Sequence, residues 1–337
     1  MAIFIVIVGI SFLIFIHELG HFLAAKKMGL LVEEFGFGFP PKLFSKKVGE
    51  TTYSINWLPF GGFVRIYGED QDDANPAVPA GRSFSGLKAW RRSLIIVAGV
   101  LMNFIFGWWL MSLMFMIGVP ETLFISEVLP DSPAAAVGLM PQDRISGFKT
   151  AEEFIEFIDA NRGREVTLDI RRGSDDLVFK AVPRADADAA LGVALMEGGV
   201  ARHSFFSGIW EGLKTSVSIV IGIAQGFWDL LWGIFAGGRI AADIVGPVGV
   251  FGVASQAGEL GLMYVVQLIA LISLNLAVLN ILPFPALDGG RFLFIILEKI
   301  KGSPLNMKFE RAANAFGFSL LLLLMLAITV RDVIRLF

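Results

Sequence analysis

The first sixteen residues of the chain, MAIFIVIVGISFLIFI, carry no charged side chain, and the motif His17-Glu18-Leu19-Gly20-His21 follows them directly. Extended to about Ala25, this run can cross a bilayer as an α-helix, which needs ~20 apolar residues. Side chains four positions apart share one face of a helix, so the two imidazoles can reach one metal ion. Glu18 is placed to act as a general base toward water. The sequence therefore predicts a metal-dependent hydrolase whose ligands lie on a membrane-spanning helix.

The composition indicates a membrane protein. Hydrophobic residues make up 55% of the 337 residues and charged residues 18%, whereas a soluble chain has about a quarter charged residues. The small net charge of −3 argues against a nucleic-acid partner. The absence of cysteine excludes disulfides and cysteine-ligated metals. The first run lacks a basic leading segment and a small-residue cleavage site, so we expect a retained span rather than a signal peptide.

Four segments are long and apolar enough to cross a bilayer. They are roughly Ala2–Ala25, Ser93–Ile117, Leu260–Leu282 and Ala312–Val330. A fifth segment, Val217–Ala236, is interrupted by Gln225 and Asp229, and it is ambiguous between a span and a helix on the membrane surface.

The distribution of basic residues predicts the orientation. Ten of them lie at or between the ends of the first two spans, and a second group follows the third span, so both regions should be cytoplasmic. They are Lys26, Lys27, Lys42, Lys46, Lys47, Arg65, Arg82, Lys88, Arg91 and Arg92, and then Arg291, Lys299, Lys301, Lys308 and Arg311. Only an odd number of crossings between residues 120 and 291 is compatible with this pattern. The third span alone satisfies it, so we assign Val217–Ala236 to the outer membrane surface.

A polar insert of about 80 residues separates the second span from the later ones. Its pattern predicts a strand, a short helix and a strand, then a helix over AEEFIEFIDAN with Thr150 as its N-cap. The segments VTLDIRR and LVFKAVPR alternate like strands. This order and the run DSPAAAVGL resemble a bacterial PDZ domain, although Gln142 stands where that domain usually has glycine before Asp-x-Ile.

The histidine pair needs a third ligand, because zinc hydrolases generally use three protein ligands and keep one position for water. His203 is the only other histidine of the sequence, and a surface role is its simpler interpretation. Asp288, in NILPFPALDGGR, is the stronger candidate, because an aspartate at the end of a span is costly unless paired or metal-bound. An aspartate that merely marks a loop is the alternative.

Three separated motifs resemble those of the site-2 proteases and occur in the same order: HELGH, GGFVRIYGED and NILPFPALDGG. The resemblance is to the bacterial branch with a PDZ insert, which cleaves membrane-anchored anti-sigma factors and remnant signal peptides. It implies Zn²⁺ ligation by His17, His21 and Asp288, with Glu18 as general base. It also implies substrate contacts from the segment at the end of the third span and from a hairpin beside the site. These residues are Asn280, Pro283 and Pro285, and Gly61, Gly62 and Phe63.

The sequence thus predicts a polytopic α-helical membrane protein with about four transmembrane helices, a membrane-associated β-hairpin and one inserted α+β PDZ-like domain. The expected parts are 1–119 (two spans and the hairpin), 120–202 (the extracytoplasmic PDZ-like domain), 203–259 (membrane-surface helices) and 260–337 (two spans). We expect a multi-pass protein of the inner or plasma membrane, with its active site toward the cytoplasm.

The expected partners are the lipid bilayer, single-span transmembrane substrates and a peptide or free C-terminus at the PDZ-like domain. Whether that domain binds a C-terminus or excludes substrates with bulky ectodomains is open at this point. Two other classes are less consistent with the sequence. An inactive PDZ scaffold need not retain Glu18, and an ion-conducting protein fits poorly with four spans and their odd topology.

Overall fold

A computed structural model of the chain describes residues 1–69, 78–173, 175–185, 189–235 and 246–334. The chain forms two compact units. The membrane unit comprises 1–111, 212–258 and 264–337, and the inserted unit comprises 112–211 with 259–263. Two predicted features, Asp70 of the GGFVRIYGED motif and residues 236–245 of the membrane-surface segment, lie outside the described residues.

The helices and strands have the following bounds. The helices are α1 (Ala2–Lys27), α2 (Ala89–Ile117), α3 (Pro133–Ala136), α4 (Ala151–Ala160), α5 (Phe205–Phe235), α6 (Pro247–Leu260), α7 (Leu262–Ile281), α8 (Asp288–Lys301) and α9 (Met307–Ile334). The strands are β1 (Val32–Val48), β2 (Thr51–Ile66), β3 (Val119–Val128), β4 (Arg144–Ile145), β5 (Val166–Arg172), β6 (Asp175–Ala181) and β7 (Val193–Val200).

Four helices within the described part of the chain are long and apolar enough to cross a membrane: α1, α2, α7 and nearly all of α9. They correspond to the four predicted segments, so the prediction of about four transmembrane helices is confirmed. The ambiguous fifth segment forms part of α5, which is not one of these four helices. Its position at the outer membrane surface stays a prediction.

Strands β1 and β2 form an antiparallel hairpin that follows α1. Aromatic contacts join the two elements: the rings of Phe15 and Phe35 lie 5.3 Å apart, and those of Phe22 and Phe35 lie 4.7 Å apart. The far half of the hairpin exposes large apolar side chains, among them Phe44 and Trp57. A hairpin in this region was expected from the family resemblance, and its two strands are present. The pairing partner β1 was not anticipated, because glycines and two prolines interrupt its alternation.

The inserted unit is built around a five-stranded sheet in the order β6-β5-β4-β3-β7. Its core contains Phe154 of α4 together with Leu168 and Ile170 of β5. The predicted helix and strands are confirmed, and the Thr150 hydroxyl accepts a hydrogen bond from the Glu153 amide as the N-cap of α4. The sheet and the two short helices make this unit an α+β module.

The two chain ends of this module lie side by side. Val119 at the start of β3 pairs with Val200 at the end of β7. The His203 amide donates to the Phe115 carbonyl at 2.8 Å, and the two rings pack edge to face. Because the module leaves and rejoins the chain at one place, it can be removed without stretching what flanks it.

Candidate metal centre

Helix α1 brings the two histidines of the HELGH motif to one place. His17 and His21 precede Lys27 by ten and six residues, or about 15 and 9 Å along a helix with a 1.5 Å rise per residue. Both are buried, and their Nε2 atoms lie 3.1 Å apart. The helical spacing predicted from the sequence therefore places both imidazoles on one face, within the apolar length of the helix.

Asp288 is carried to the same place by the turn that joins α7 to α8. It is the first residue of α8, and two glycines follow it. A Cβ at Gly289 would lie 2.1 Å from the carbonyl oxygen of Leu282, and a Cβ at Gly290 would lie 2.3 Å from that of Phe284. The turn is thus too tight for any side chain at either position. The Asp-Gly-Gly sequence is what lets the backbone fold back and present the carboxylate.

The three side chains converge through one atom each. Asp288 Oδ2 lies 2.8 Å from His17 Nε2 and 3.2 Å from His21 Nε2. Two imidazole nitrogens and one carboxylate oxygen form a donor set typical of catalytic zinc. Ligand atoms around tetrahedral zinc lie roughly 3.3 Å apart at bond lengths of ~2.0–2.1 Å. The observed separations reach that value with small side-chain movements, so the residues fit the metal.

The protonation of His21 strengthens this fit. Its Nδ1 lies 2.8 Å from the carbonyl oxygen of Ile95, and a carbonyl can only accept. Nδ1 therefore carries a hydrogen, so a neutral His21 ring would offer the lone pair of Nε2 to a metal. That lone pair faces Asp288 Oδ2, a buried atom without a hydrogen-bond partner among the described residues. Two acceptors that face each other in a buried site are unfavourable by themselves, and a cation between them satisfies both.

Helix α2 supplies the wall behind the histidines. A Cβ at Gly99 would lie 2.4 Å from His21 Nε2 and 2.9 Å from His17 Cε1. On the α1 side, a Cβ at Gly20 would lie 2.4 Å from the Ala98 carbonyl oxygen. The two helices therefore touch through glycine on both sides, and the space that a side chain would fill is occupied by the imidazoles.

The sequence reasoning did not select Gly99. A signal was present, because Gly99 and Asn103 are four residues apart and hence share one face of an otherwise apolar span. Small and polar residues on one face of a transmembrane helix mark a surface that packs closely against another helix.

Glu18 lines a cavity of about 430 Å³ together with His21 and Asp288. The cavity lies beside the hairpin, and residues Phe63 to Ile66 of β2 form part of its wall. Arg291 of α8 and Glu69 form an ion pair at this cavity. The cavity is large enough for several water molecules or a short stretch of peptide. The Glu18 carboxylate, which adjoins the proposed metal ligands, faces it.

The predicted substrate-binding residues lie in two different surroundings. Phe63 lines the cavity, and a Cβ at Gly62 would be 3.6 Å from Glu18 Cγ. Gly61 lies next to Phe39 at a φ of 101°. Gly62 and Phe63 are therefore beside the predicted base, whereas Gly61 packs against Phe39.

The second predicted group lies at the end of α7 and in the turn after it. The Asn280 amide nitrogen lies 3.5 Å from both ring nitrogens of His17. Pro283 is exposed, and Pro285 packs against Gly317 of α9. Asn280 therefore adjoins the metal centre, whereas the two prolines shape the turn behind it. His203 belongs to the inserted unit, where its Nδ1 lies 3.1 Å from the Ser207 hydroxyl.

The profile of peptidase family M50 matches residues 5–324 of the chain. The chain belongs to this family. A protein of Clostridium perfringens strain 13, provisionally named zinc metalloprotease CPE1693, is 34% identical over 344 residues, with 99% of each chain covered. The zinc metalloprotease RasP of Oceanobacillus iheyensis is 28% identical over 426 residues, covering 99% of this chain and 98% of the relative.

A third relative carries a more specific name. The regulator of sigma-W protease RasP of Bacillus subtilis strain 168 is 28% identical over 419 residues, covering 99% of this chain and 98% of the relative. Family M50 comprises the site-2 proteases, so the expected family and the prediction of a zinc metalloprotease are confirmed. Together with its four apolar helices, this makes the chain a multi-pass membrane protein.

Proposed function

We propose that this M50 protein is an intramembrane zinc endopeptidase, which hydrolyses peptide bonds within the transmembrane segments of single-span proteins. The observation that carries the proposal is that Asp288 converges on His17 and His21, which lie on a helix that is itself long and apolar enough to span a membrane. A soluble hydrolase has no reason to place its metal ligands on such a helix, because each polar group there is costly to bury.

In this proposal His17 and His21 hold zinc through Nε2, and Asp288 holds it through Oδ2. When bound, zinc would act as a Lewis acid that activates water and polarises the scissile carbonyl. Contacts within the chain hold two of the three donors in place. The Ile95 carbonyl orients His21, and the tight Asp-Gly-Gly turn fixes Asp288.

Glu18 is the proposed general base. It follows His17 directly in α1 and faces the cavity that His21 and Asp288 also line. In that position its carboxylate can take a proton from the attacking water and deliver it to the leaving amine.

The substrate must unwind before cleavage, because a transmembrane helix keeps its peptide bonds in intrahelical hydrogen bonds. Strand β2 is the proposed docking edge. It pairs only with β1 within the described residues, and its residues from Phe63 onward border the cavity. An unwound segment can add to such an edge as an extended strand. Gly62 leaves room for a backbone next to Glu18, and the Asn280 amide can donate to a substrate carbonyl.

The orientation and the substrates are also proposals. The basic residues between α1 and α2 support a cytoplasmic position for the hairpin and for the metal-binding end of α1. The inserted unit would then be extracytoplasmic, in an inner or plasma membrane. The Bacillus relative is named a regulator of sigma-W protease, which agrees with membrane-anchored anti-sigma factors as one substrate class. Remnant signal peptides, the second proposed class, rest on the family resemblance alone.

The inserted unit is proposed to be PDZ-like. A groove of about 360 Å³ runs between α4 and the segment from Ala189 to Leu195. Strand β7 pairs with β3 on one side, and no second strand partner occurs among the described residues. An exposed strand edge beside a helix is the arrangement that receives an added peptide strand. The groove supports binding of a peptide or free C-terminus, and a bulky substrate ectodomain would compete for the same space.

Two substitutions test the proposed catalytic site. Glu18→Gln should retain zinc and lose cleavage of a single-span test substrate by about 10²–10⁴-fold. Asp288→Ala should lose zinc, measured as metal per purified chain. Glu156→Gln, at an exposed position on α4, is the matched control and should change neither quantity.

The outcomes also separate the rival classes. Normal turnover in Glu18→Gln would remove the general-base role. About one zinc per chain without any cleavage would favour an inactive scaffold. A wild-type protein without zinc that conducts ions in liposomes would overturn the protease.

A further inference from the structure

Asn103 of α2 is a buried polar side chain with no role in the chemistry described so far. It is 0% exposed, and its Oδ1 has no hydrogen-bond partner among the described residues. Its Nδ2 lies 3.4 Å from Nδ1 of His17. Ser273 of α7 donates to the Asn103 carbonyl at 2.7 Å and so fixes the backbone there. A buried amide held at this distance from a proposed metal ligand calls for a physical reason.

The chemistry of His17 supplies that reason. Its Nε2 faces Asp288 and His21, and a neutral imidazole that offers Nε2 to a metal carries its hydrogen on Nδ1. That N–H is buried and requires an acceptor, which the NH₂ group of Asn103 cannot be. The oxygen and nitrogen of an amide have nearly the same shape, and only the hydrogen-bond network distinguishes them. Rotating the Asn103 amide by half a turn brings Oδ1 to Nδ1, and both groups then have a partner.

Asn280 does not replace Asn103 in this role. Its Nδ2 is 3.5 Å from both Nδ1 and Nε2 of His17, so it is not in line with the N–H of either atom. It is also only half-buried, whereas Asn103 is fully buried. The two asparagines therefore approach the ring differently, and Asn103 is the one near Nδ1 alone.

We propose that Asn103 is a positioning residue: its side-chain oxygen accepts the hydrogen bond of His17 Nδ1 and so keeps Nε2 directed at the metal. The inference rests on the proposed zinc site. With this hydrogen bond each of the two histidines has an acceptor for its Nδ1 hydrogen, because His21 already has one in the Ile95 carbonyl. Both acceptors lie on α2, so one neighbouring helix orients the two imidazoles. Partners of this kind typically contribute 10–100-fold to metal affinity.

Zinc affinity in a chelator competition assay tests the role of the oxygen. Asn103→Leu keeps the branched shape of the side chain, although its methyl groups are larger than the amide atoms, and removes the acceptor, so it should weaken zinc binding about 10–100-fold. Asn103→Asp restores an acceptor without a donor and should bind zinc at least ten times more tightly than the leucine variant. Ser273→Ala removes the contact to the Asn103 backbone only, and it should stay within about threefold of wild type. Equal weakening in Asp and Leu would mean that Asn103 only fills space.

Nitrogen-15 NMR provides a readout independent of activity. The sequence has only three histidines, so ¹⁵N-histidine labelling gives three ring systems, and His203→Gln reduces them to two. In the zinc-loaded protein, His17 should show a protonated Nδ1 protected from exchange with water. That protection should be lost in Asn103→Leu and kept in Asn103→Asp.

The outcomes distinguish this inference from the proposed function. A wild-type His17 with a bare Nδ1, or an Nδ1 hydrogen equally protected in Asn103→Leu, would overturn the positioning role while leaving the zinc site intact. A wild-type chain that binds no zinc would overturn both.

Discussion

Gly99→Ala should abolish zinc binding without unfolding the protein. The new Cβ would lie 2.4 Å from His21 Nε2 and 2.6 Å from His21 Cε1, where ordinary contacts begin at 3.4 Å. The His21 ring must therefore move by about 1 Å, the difference between 3.4 and 2.4 Å. His17 is pushed as well, because its Cε1 lies 2.9 Å from the same Cβ.

The size of this movement decides the outcome. Ligand distances in metal sites are held to within about 0.2 Å, so a displacement five times larger removes His21 from the ligand set. We expect zinc affinity to fall at least 100-fold, which corresponds to about 2.7 kcal/mol. The helix itself should tolerate the change, because alanine is favoured over glycine inside a helix by about 1 kcal/mol.

The assay compares metal binding with folding. Zinc affinity is measured by chelator competition, and the fold by thermal unfolding of the metal-free protein in detergent. Gly222→Ala on α5 is the matched control, since its new Cβ would meet no atom within 4 Å. The control should bind zinc as wild type does. If Gly99→Ala also bound zinc within threefold of wild type, the packing of α2 against the two imidazoles would be wrong.

Three further predictions concern the inserted unit. Replacing residues 120–199 by a short glycine linker should preserve zinc binding. It should also raise the cleavage rate of a substrate with a folded ectodomain relative to that of a substrate without one. An unchanged ratio of the two rates would contradict a filtering role. Gln142 has a φ of 73°, which costs a non-glycine residue about 1–2 kcal/mol, so Gln142→Gly should raise thermal stability by up to ~1 kcal/mol, while Gln142→Ala should not. Arg172 donates two hydrogen bonds of 2.7 Å to the fully buried Asp143, so Arg172→Met should destabilise the unit by about 3 kcal/mol or more in urea unfolding. The control Arg171→Met, whose acidic partner is exposed, should leave the urea midpoint close to that of the wild type.

The local pattern of the sequence determined much of this protein. An apolar helix that ends in HELGH places its two histidines on one face whatever surrounds it, because the spacing is a property of the helix. The four spans follow from length and hydropathy for the same reason. The helix α4 with its Thr150 cap and the strands β5 and β6 were predictable because their signals lie within a few neighbouring residues. Asp288 was accessible as well, since a carboxylate among prolines and glycines is conspicuous at the end of a span.

Only the tertiary structure decided what surrounds the two imidazoles. Gly99, Asn103 and Ile95 lie about 80 residues from the histidines in sequence, and their relevance depends on how α2 is rotated against α1. An apolar span surrounded by lipid and other apolar helices has no strongly polar face, so its sequence encodes this rotation weakly. Strand β1 was missed for a different reason, because glycines and two prolines interrupt the alternation that would have marked it as the partner of β2. The sequence thus determined which groups can bind a metal, and helix packing decided which neighbours orient them.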